Sequence, residues 1–428
     1  MRRRAEFPRS YFGQFIDHDL TFDPNSSLQK QNDPDALIDY RNPAFDLDNV
    51  YGRGPNDQPY MYDGEDCFRL GEQVTGGNDP KAQDLPRDPH GGRALIGDPR
   101  NDENAIVSQL QGLFLRFNNN LRRSDPDIGF REAQRLMRWH YQYVVLNDFL
   151  PRIVHSSVLA DLKTNGRYDE GKLKFYTPRN EGFMPVEFSV GAYRLGHSMV
   201  RPGYQLNDNV LQPIFPVPSQ GFTEGLTGFR PLIQSWGLDW GRFIDIDVRP
   251  TNAANRLQFA YRIDTSLVNP LGALPEEVVK AKDPPSSLAE RNLLRAWRLA
   301  LPSGQDVARA MCIEPMSDDE ILIGKAVDGG GTFTKVTDAS PVFADNCPLW
   351  TYILAEAMQN KEAVTLPVTG NVSVSSPKLG PFGGRIVAEV FLGLMYQDKH
   401  SYLSQAPCWH PPGNPDYALK DFVLAALA

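Results

Sequence analysis

Residues 11–24 read YFGQFIDHDLTFDP, with Asp17, His18 and Asp19 set directly behind Phe15 and Ile16. Charge beside an apolar run is costly to bury unless a partner compensates it. If residues 12–21 are helical, Gln14, Asp17 and His18 share one face at i, i+3 and i+4, and Asp19 is turned about 100° further round. The stretch therefore predicts two different ligands on two sides of one helix.

Two more stretches put polar groups where apolar ones are expected. In GDPRNDENAIVSQLQG (97–112), Asp98 is a good N-cap with Pro99 at the first helical position. A helix starting there places Glu103 in the middle of the stripe formed by Ile106, Val107, Leu110 and Phe117, with Arg100 one turn back at its edge. In PVEFSVGAYRLGHSMVRPGY (185–204), Val186, Val190, Tyr193, His197 and Val200 are spaced for one helical stripe, so His197 faces inward. Each feature alone has an ordinary explanation: a satisfied core histidine, a first-turn ion pair, or an aspartate that caps or is solvated. Two inward imidazoles, a buried guanidinium and two inward carboxylates together carry more polar cost than a core accepts without a cofactor.

The remaining composition sets the frame. With 428 residues, 41% of them hydrophobic, the chain can bury a large core; at roughly 100–200 residues per domain, length alone would suggest two to four units. The net charge of −9 disfavours a nucleic-acid or membrane-surface binder, which would show a basic face. Cys67, Cys312, Cys347 and Cys408 lie far apart with no C-x-x-C spacing, so reduced, structural thiols are expected. The basic start MRRRAEFPRSYFGQ leads into no apolar run, and nothing approaches the roughly 18 apolar residues of a membrane span, so a soluble chain without a visible export signal is expected. Only 17 residues precede His18, which raises the expectation of a piece of a longer protein and leaves localisation open.

Residues 1–98 are rich in Pro, Gly, Asp and Asn and read as long turn-based segments with short helices. Beyond them, Ile106, Val107, Leu110, Phe114, Phe117 and Leu121 lie on one stripe. Helices are also expected in FREAQRLMRWHYQYVVLNDFLPRIV, PVEFSVGAYRLGHSMV, SSLAERNLLRAWRLA, CPLWTYILAEAMQ and GGRIVAEVFLGLMYQ. There is no internal repeat or low-complexity linker. The expectation is one mainly α domain over 1–428, with few or no strands and with 99–428 as its helical body.

The ordered set GQFIDHD, DNVYG, GDPRNDEN, RLGHS and NLLRAWRLALPSGQ resembles the animal-type haem peroxidase superfamily, and within it the bacterial, peroxinectin-like branch; PFGGRIVAEVFLGLMYQDKHSYL resembles that branch's C-terminal helices. The resemblance implies a haem b between central helices. It makes His18 the distal histidine, Arg100 the distal arginine and Gln14 a polar neighbour that orders water. His197 becomes the iron ligand, with Asn292 accepting a hydrogen bond from its other ring nitrogen. Arg295 is expected near a haem propionate, and Arg194 among the haem contacts. Asp17 and Glu103 match the carboxylates that family members join to haem methyl groups as esters. Asn104 stands where one family member carries a methionine bonded to a haem vinyl, so no sulfonium link is expected. Asp19 matches a calcium ligand, completed by Asn42, the backbone carbonyl of Ala44, Asp46 and Asp48; hard oxygen donors from a turn suit calcium.

The implied activity is reduction of hydrogen peroxide, through an oxo-ferryl intermediate, with oxidation of a phenolic or aromatic donor or of a halide or pseudohalide. The reductant, the halide preference and the oligomeric state stay open. Three other readings stand beside it. A fatty-acid dioxygenase of the same superfamily would use a tyrosine three residues before the proximal histidine, where this chain has Arg194; Tyr193, one position off, would point about 100° away on a helix. A metal-dependent phosphohydrolase would gather several histidines, and only seven exist, with no H-x-x-x-H spacing. A non-catalytic adhesion module would keep the fold without the haem. Tyr11, Tyr193 and Phe188 are expected to line an access path or simply to pack.

Overall fold

The computed structural model describes residues 10–21 and 43–428, apart from 65, 126, 179–180, 252, 277, 280–284 and 328–329. It is mainly α-helical. The longer helices are α1 (Ser10–Leu20), α2 (Ala105–Ser124), α3 (Phe130–Val144), α4 (Leu288–Arg298), α5 (Leu349–Gln359), α6 (Gly383–Gln397) and α7 (Leu419–Leu427). The strands that the alternation pattern barely signalled are short and pair locally. They form four antiparallel two-stranded ladders: Lys163–Thr164 with Arg167–Tyr168, Gly203–Gln205 with Leu211–Pro213, Leu322–Val327 with Gly330–Lys335, and Lys361–Thr365 with Ser373–Pro377. Each is a hairpin, and none makes a sheet that could support a core by itself.

Helix α2 is the central rod. Its apolar stripe is present, but the helix is buried on every side from Ala105 to Asn119 because other helices wrap it. Phe15 of α1 stacks on Phe114 at 4.2 Å, Phe422 of α7 stacks on Phe117 at 4.2 Å, and Tyr141 of α3 sits edge-on to Phe114 at 5.9 Å. Gln109 on this buried rod is paired with a surrounding loop: it donates to the Trp236 carbonyl at 2.9 Å and accepts from the Leu238 amide at 2.9 Å. Such pairing is what makes a glutamine tolerable in a core. The Phe15–Phe114 contact fixes α1 against the middle of α2, and residues of α1 and of the segment that leads into α2 line the functional cleft.

Two expected helices are irregular in a way that matters. After α3, a π-turn at Val145–Phe149 precedes a last turn at Leu150–Ile153, so the residue advance slips by part of a turn and Phe149 is brought against Gly13 of α1. The segment carrying His197 is a π-turn Glu187–Gly191, a 3-10 turn Ala192–Leu195 and one α-turn Gly196–Met199. The single stripe expected there does not survive: Val190 and Tyr193 are buried, but Val186 is 44% exposed.

Candidate active site

The cleft lies between the α1–α2 junction on one side and the His197 segment with α4 on the other. It encloses about 1440 Å³ of space free of protein atoms, its open mouth included. Gln14, Asp17, His18, Arg100 and Glu103 line it from α1 and the segment before α2, and Tyr193, Arg194, His197, Arg291, Asn292 and Arg295 line it from the His197 segment and α4. The geometry of α1 divides its polar residues as its period requires: Gln14, Asp17 and His18 face the cleft, whereas Asp19 is wholly buried on the far side.

The wall contributed by 98–104 departs from the expected helix. Asp98 does cap, accepting from the Arg100 amide, but what it caps is a 3-10 turn, Pro99–Asp102. The α-helix begins at Ala105 with Asn104 as its N-cap. Glu103 is therefore at the junction of two turns and not in the middle of a helical stripe. The reason is a pairing no local signal announces: Phe229 and Gly228 donate to the carbonyls of Asp102 and Glu103 at 2.7 and 2.9 Å, and Ala105 donates to Leu226 at 2.9 Å. Gly228 is required at this crossing, because a Cβ there would run into the Asp102 carbonyl.

His18 is buried and makes a 2.7 Å contact from Nδ1 to Oδ1 of Asn101, which in turn donates to Oε1 of Gln111 at 2.9 Å. Its Nε2 is 3.6 Å from Oε1 of Glu103. Burial, and then the Arg100 cation, depress the His18 imidazole to about 4, so it is neutral near pH 7. Gln14 donates to the same Glu103 oxygen and accepts from Asn104 at 3.3 Å. Burial lifts the Glu103 carboxyl to about 7 against the pull of Arg100. Arg100 is clamped: Asp98 takes its Nε at 3.2 Å and its Nη2 at 2.8 Å, and the carbonyls of His18 and Thr21 accept from Nη2. Burial works against that charge, but Asp98 holds the guanidinium above its ordinary value.

On the other wall, the Asn292 amide of α4 is 2.8 Å from Nδ1 of His197, through its nitrogen as oriented here. Burial, then Arg194 and Arg295, depress His197 to about 3, leaving it neutral. Arg194 donates from Nε to the Ser189 carbonyl at 2.9 Å, and the Trp350 indole donates to the Arg194 carbonyl at 3.3 Å. Tyr193 does not point away as a regular helix would have it. The π and 3-10 turns rotate it so that it also lines the cleft, donating to the Gly13 carbonyl at 3.2 Å and stacking on Phe188 at 4.9 Å.

Behind α1, carboxylate oxygens of Asp19, Asp46 and Asp48 all lie within 4.8 Å of one another, and Asp19 is fully buried. Leu47, between the latter two, adopts φ 57° and ψ 35°, a left-handed conformation that its buried side chain holds and that brings Asp46 and Asp48 to one side. Ala44 is in the same turn, and Asn42 lies outside the described residues. Three carboxylates so close repel unless protonated or bridged by a cation, and an all-oxygen set of this kind fits calcium.

A family model described as animal haem peroxidase matches residues 30–224. The match spans a little under half of the chain. Among its relatives are thyroid peroxidase of Canis lupus familiaris, 26% identical over 153 residues, and a peroxidase-like protein of Margaritifera margaritifera, 31% identical over 148 residues. These stretches cover 34% and 31% of this chain but only 15% and 17% of the two relatives. Among solved structures, peroxidase A from Dictyostelium discoideum superposes with a TM-score of 0.60 at 16% identity, covering 98% of this chain and 82% of the other. Oryza sativa fatty acid alpha-dioxygenase superposes with a TM-score of 0.54 at 15% identity, over 99% and 73%. The residues present would suit the haem for which the matched family is named. Two neutral imidazoles line one cleft that is large enough for a bulky ligand, and Arg194, Arg291 and Arg295 supply positive charge for carboxylate arms.

Gln14, Asp17, His18, Arg100, Glu103, Arg194, His197, Asn292 and Arg295, expected from the sequence, all line the cleft; Arg291 also lines it and was not expected, nor were the residues that hold this set in place. Asn101 and Gln111 behind His18, the Asp98 clamp on Arg100, and the Asn104 contact to Gln14 come from pairs separated by up to 90 positions or from the 3-10 turn. Asn101 stands in the quoted GDPRNDEN, yet a helix starting at Pro99 would have aimed it elsewhere.

Proposed function

We propose that the protein is a haem peroxidase that reduces hydrogen peroxide and oxidises a small phenolic, aromatic, halide or pseudohalide donor, with haem b bound between His18 and His197 and the whole chain serving as one haem-binding domain. The observation that carries this reading is the pair of neutral imidazoles, from two separate segments, that line one cleft, one of them beside a clamped guanidinium. The family-model match over residues 30–224 supports an oxidoreductase. When bound, the haem supplies the redox centre that takes two electrons from the donor and delivers them to peroxide, which with two protons becomes two waters.

The chain's residues supply position, proton and field. Nε2 of His18 takes a proton from peroxide and returns it to the departing oxygen, acting first as base and then as acid. Arg100, held by Asp98, adds positive potential where negative charge develops on that oxygen. Gln14, oriented by Asn104, orders water beside them. His197 would hold the iron through Nε2 with its own proton on Nδ1, and Asn292, with its amide turned, would accept that proton at Oδ1. Arg295 and Arg194 hold the carboxylate arms. Asp17 and Glu103 are placed on the cleft wall as candidates for ester links. Calcium at Asp19, Asp46, Asp48, the Ala44 carbonyl and Asn42 steadies the end of α1, and so the direction of His18.

The test is an absorbance spectrum of the protein after haem loading, with and without hydrogen peroxide, followed by acid–acetone extraction. A Soret band that shifts with peroxide supports the reading, and resistance to extraction supports the ester links. A protein that stays colourless with added haem defeats the reading and favours the adhesion alternative. A fatty-acid dioxygenase is the second reading, favoured by the position of Tyr193 on the cleft wall. Oxygenation of linoleate under oxygen without peroxide would support it.

A further inference from the structure

We propose that Asn101 is the positioning residue that fixes the proton of His18 on Nδ1, so that a bare Nε2 is presented to the cleft, and that Gln111 holds Asn101 in that orientation. The proposal deepens the peroxidase reading, in which His18 is the base, and rests on that reading for its catalytic consequence. The contacts form a buried file of three side chains from three elements: Gln111 of α2, Asn101 of the 3-10 turn and His18 of α1. Asn101 and Gln111 are completely buried and His18 nearly so, so no water competes for these groups. A carboxamide oxygen only accepts. With Oδ1 of Asn101 at 2.7 Å, Nδ1 of His18 must donate, and a neutral imidazole has a single proton to give. The amide nitrogen of Asn101 donates to Oε1 of Gln111 at 2.9 Å, so the Asn101 amide turns only if that of Gln111 turns with it.

The consequence is specific to the acid–base step. If the proton sat on Nε2 instead, the ring would present a donor to peroxide and could not take its proton. A mere packing role for Asn101 would leave the tautomer untouched, so the tautomer is the quantity to measure. It can be read on the full chain without haem, by long-range proton–nitrogen correlation NMR of protein labelled with ¹⁵N at histidine. The His18 signals are identified as those lost in His18→Gln.

The expected wild-type spectrum shows a protonated Nδ1 and an unprotonated Nε2 for His18. Asn101→Leu, which keeps the volume and removes the acceptor, is expected to move the ring to the Nε2-protonated form or to a mixture. Asn101→Asp, which keeps an acceptor oxygen for Nδ1 while losing the donor to Gln111, retains the wild-type tautomer. Gln111→Leu gives a partial shift, and it keeps the test alive if Asn101→Leu fails to fold. After haem loading, Asn101→Leu is expected to slow the bimolecular reaction with peroxide by about 10- to 100-fold, the range for loss of such supporting contacts, with haem uptake unchanged. A wild-type ring protonated on Nε2, or folded Asn101→Leu and Gln111→Leu proteins that both keep the wild-type tautomer, would overturn the proposal. A protein that shows the expected tautomers but takes up no haem would instead defeat the peroxidase reading and leave this one standing.

Discussion

Asn104 and Gln14, 90 residues apart, meet at 3.3 Å with the Asn104 amide donating, while Oδ1 of Asn104 accepts from the Ile106 and Val107 amides at 3.1 and 2.9 Å. One side chain thus starts the central helix and orients an amide on the cleft wall. Asn104→Ala is expected to lower stability by about 1 kcal/mol through loss of the cap. Asn104→Asp keeps the cap and loses only the donor to Gln14, so its stability should stay within a few tenths of a kcal/mol of wild type. Urea unfolding of both variants checks this, and a neutral Asn104→Ala would show that the cap is dispensable.

Carboxylate oxygens of Asp19, Asp46 and Asp48 lie within 4.8 Å of one another, a set that could hold a cation. Calcium at 100 times its Kd should raise the unfolding free energy by about 2.7 kcal/mol, and a chelator should remove that gain. Asp46→Asn and Asp48→Asn should each weaken calcium binding in a calorimetric titration. Thermal midpoints identical in calcium and in chelator would count against the site.

Glu103 gives a pH dependence of unusual sign for a carboxylate. Burial raises it from 4.5 to about 7, with Asp98 and Asp17 adding and Arg100 and the Gln14 hydrogen bond subtracting. Between these values the folded protein holds a proton that the unfolded chain has lost. The stability contribution is therefore intact below about pH 4.5 and is lost as pH rises through about 7. At most about 3 kcal/mol is at stake. Glu103→Gln in the haem-free protein should flatten the fall in stability between pH 5 and pH 8, as followed by urea unfolding. Parallel profiles for wild type and variant would refute the assignment.

Haem uptake should depend on His197 far more than on its neighbours. His197→Ala is expected to abolish the Soret band of a five-coordinate histidine-ligated haem. Asn292→Leu, which removes the partner at 2.8 Å, should weaken haem affinity by about 10- to 100-fold. Titration of the apoprotein with haem measures both. Full affinity in His197→Ala would mean that the iron is held elsewhere.

Within one regular helix, position follows from letters, because each residue advances a fixed 100°. That is why the division of α1 into a cleft face (Gln14, Asp17, His18) and a buried acidic back (Asp19) was legible, as were the long apolar helices and the residues that approach the cleft. The character of 99–102 was not: Asp-Pro starts an α-helix and a 3-10 turn with the same signal, and the choice was made by Gly228 and Phe229 pairing from more than a hundred residues away. The same holds for Tyr193, whose direction depends on a π-turn created where the chain packs against α6, with Phe188 and Tyr193 lying 5.9 and 5.5 Å from Phe391. The sequence by itself determined a mainly helical chain and the roster of polar residues facing inward. Only the tertiary structure decided which of them support one another, because hydrogen bonds such as His18–Asn101–Gln111 depend on how separate elements are packed, and local pattern carries no record of that.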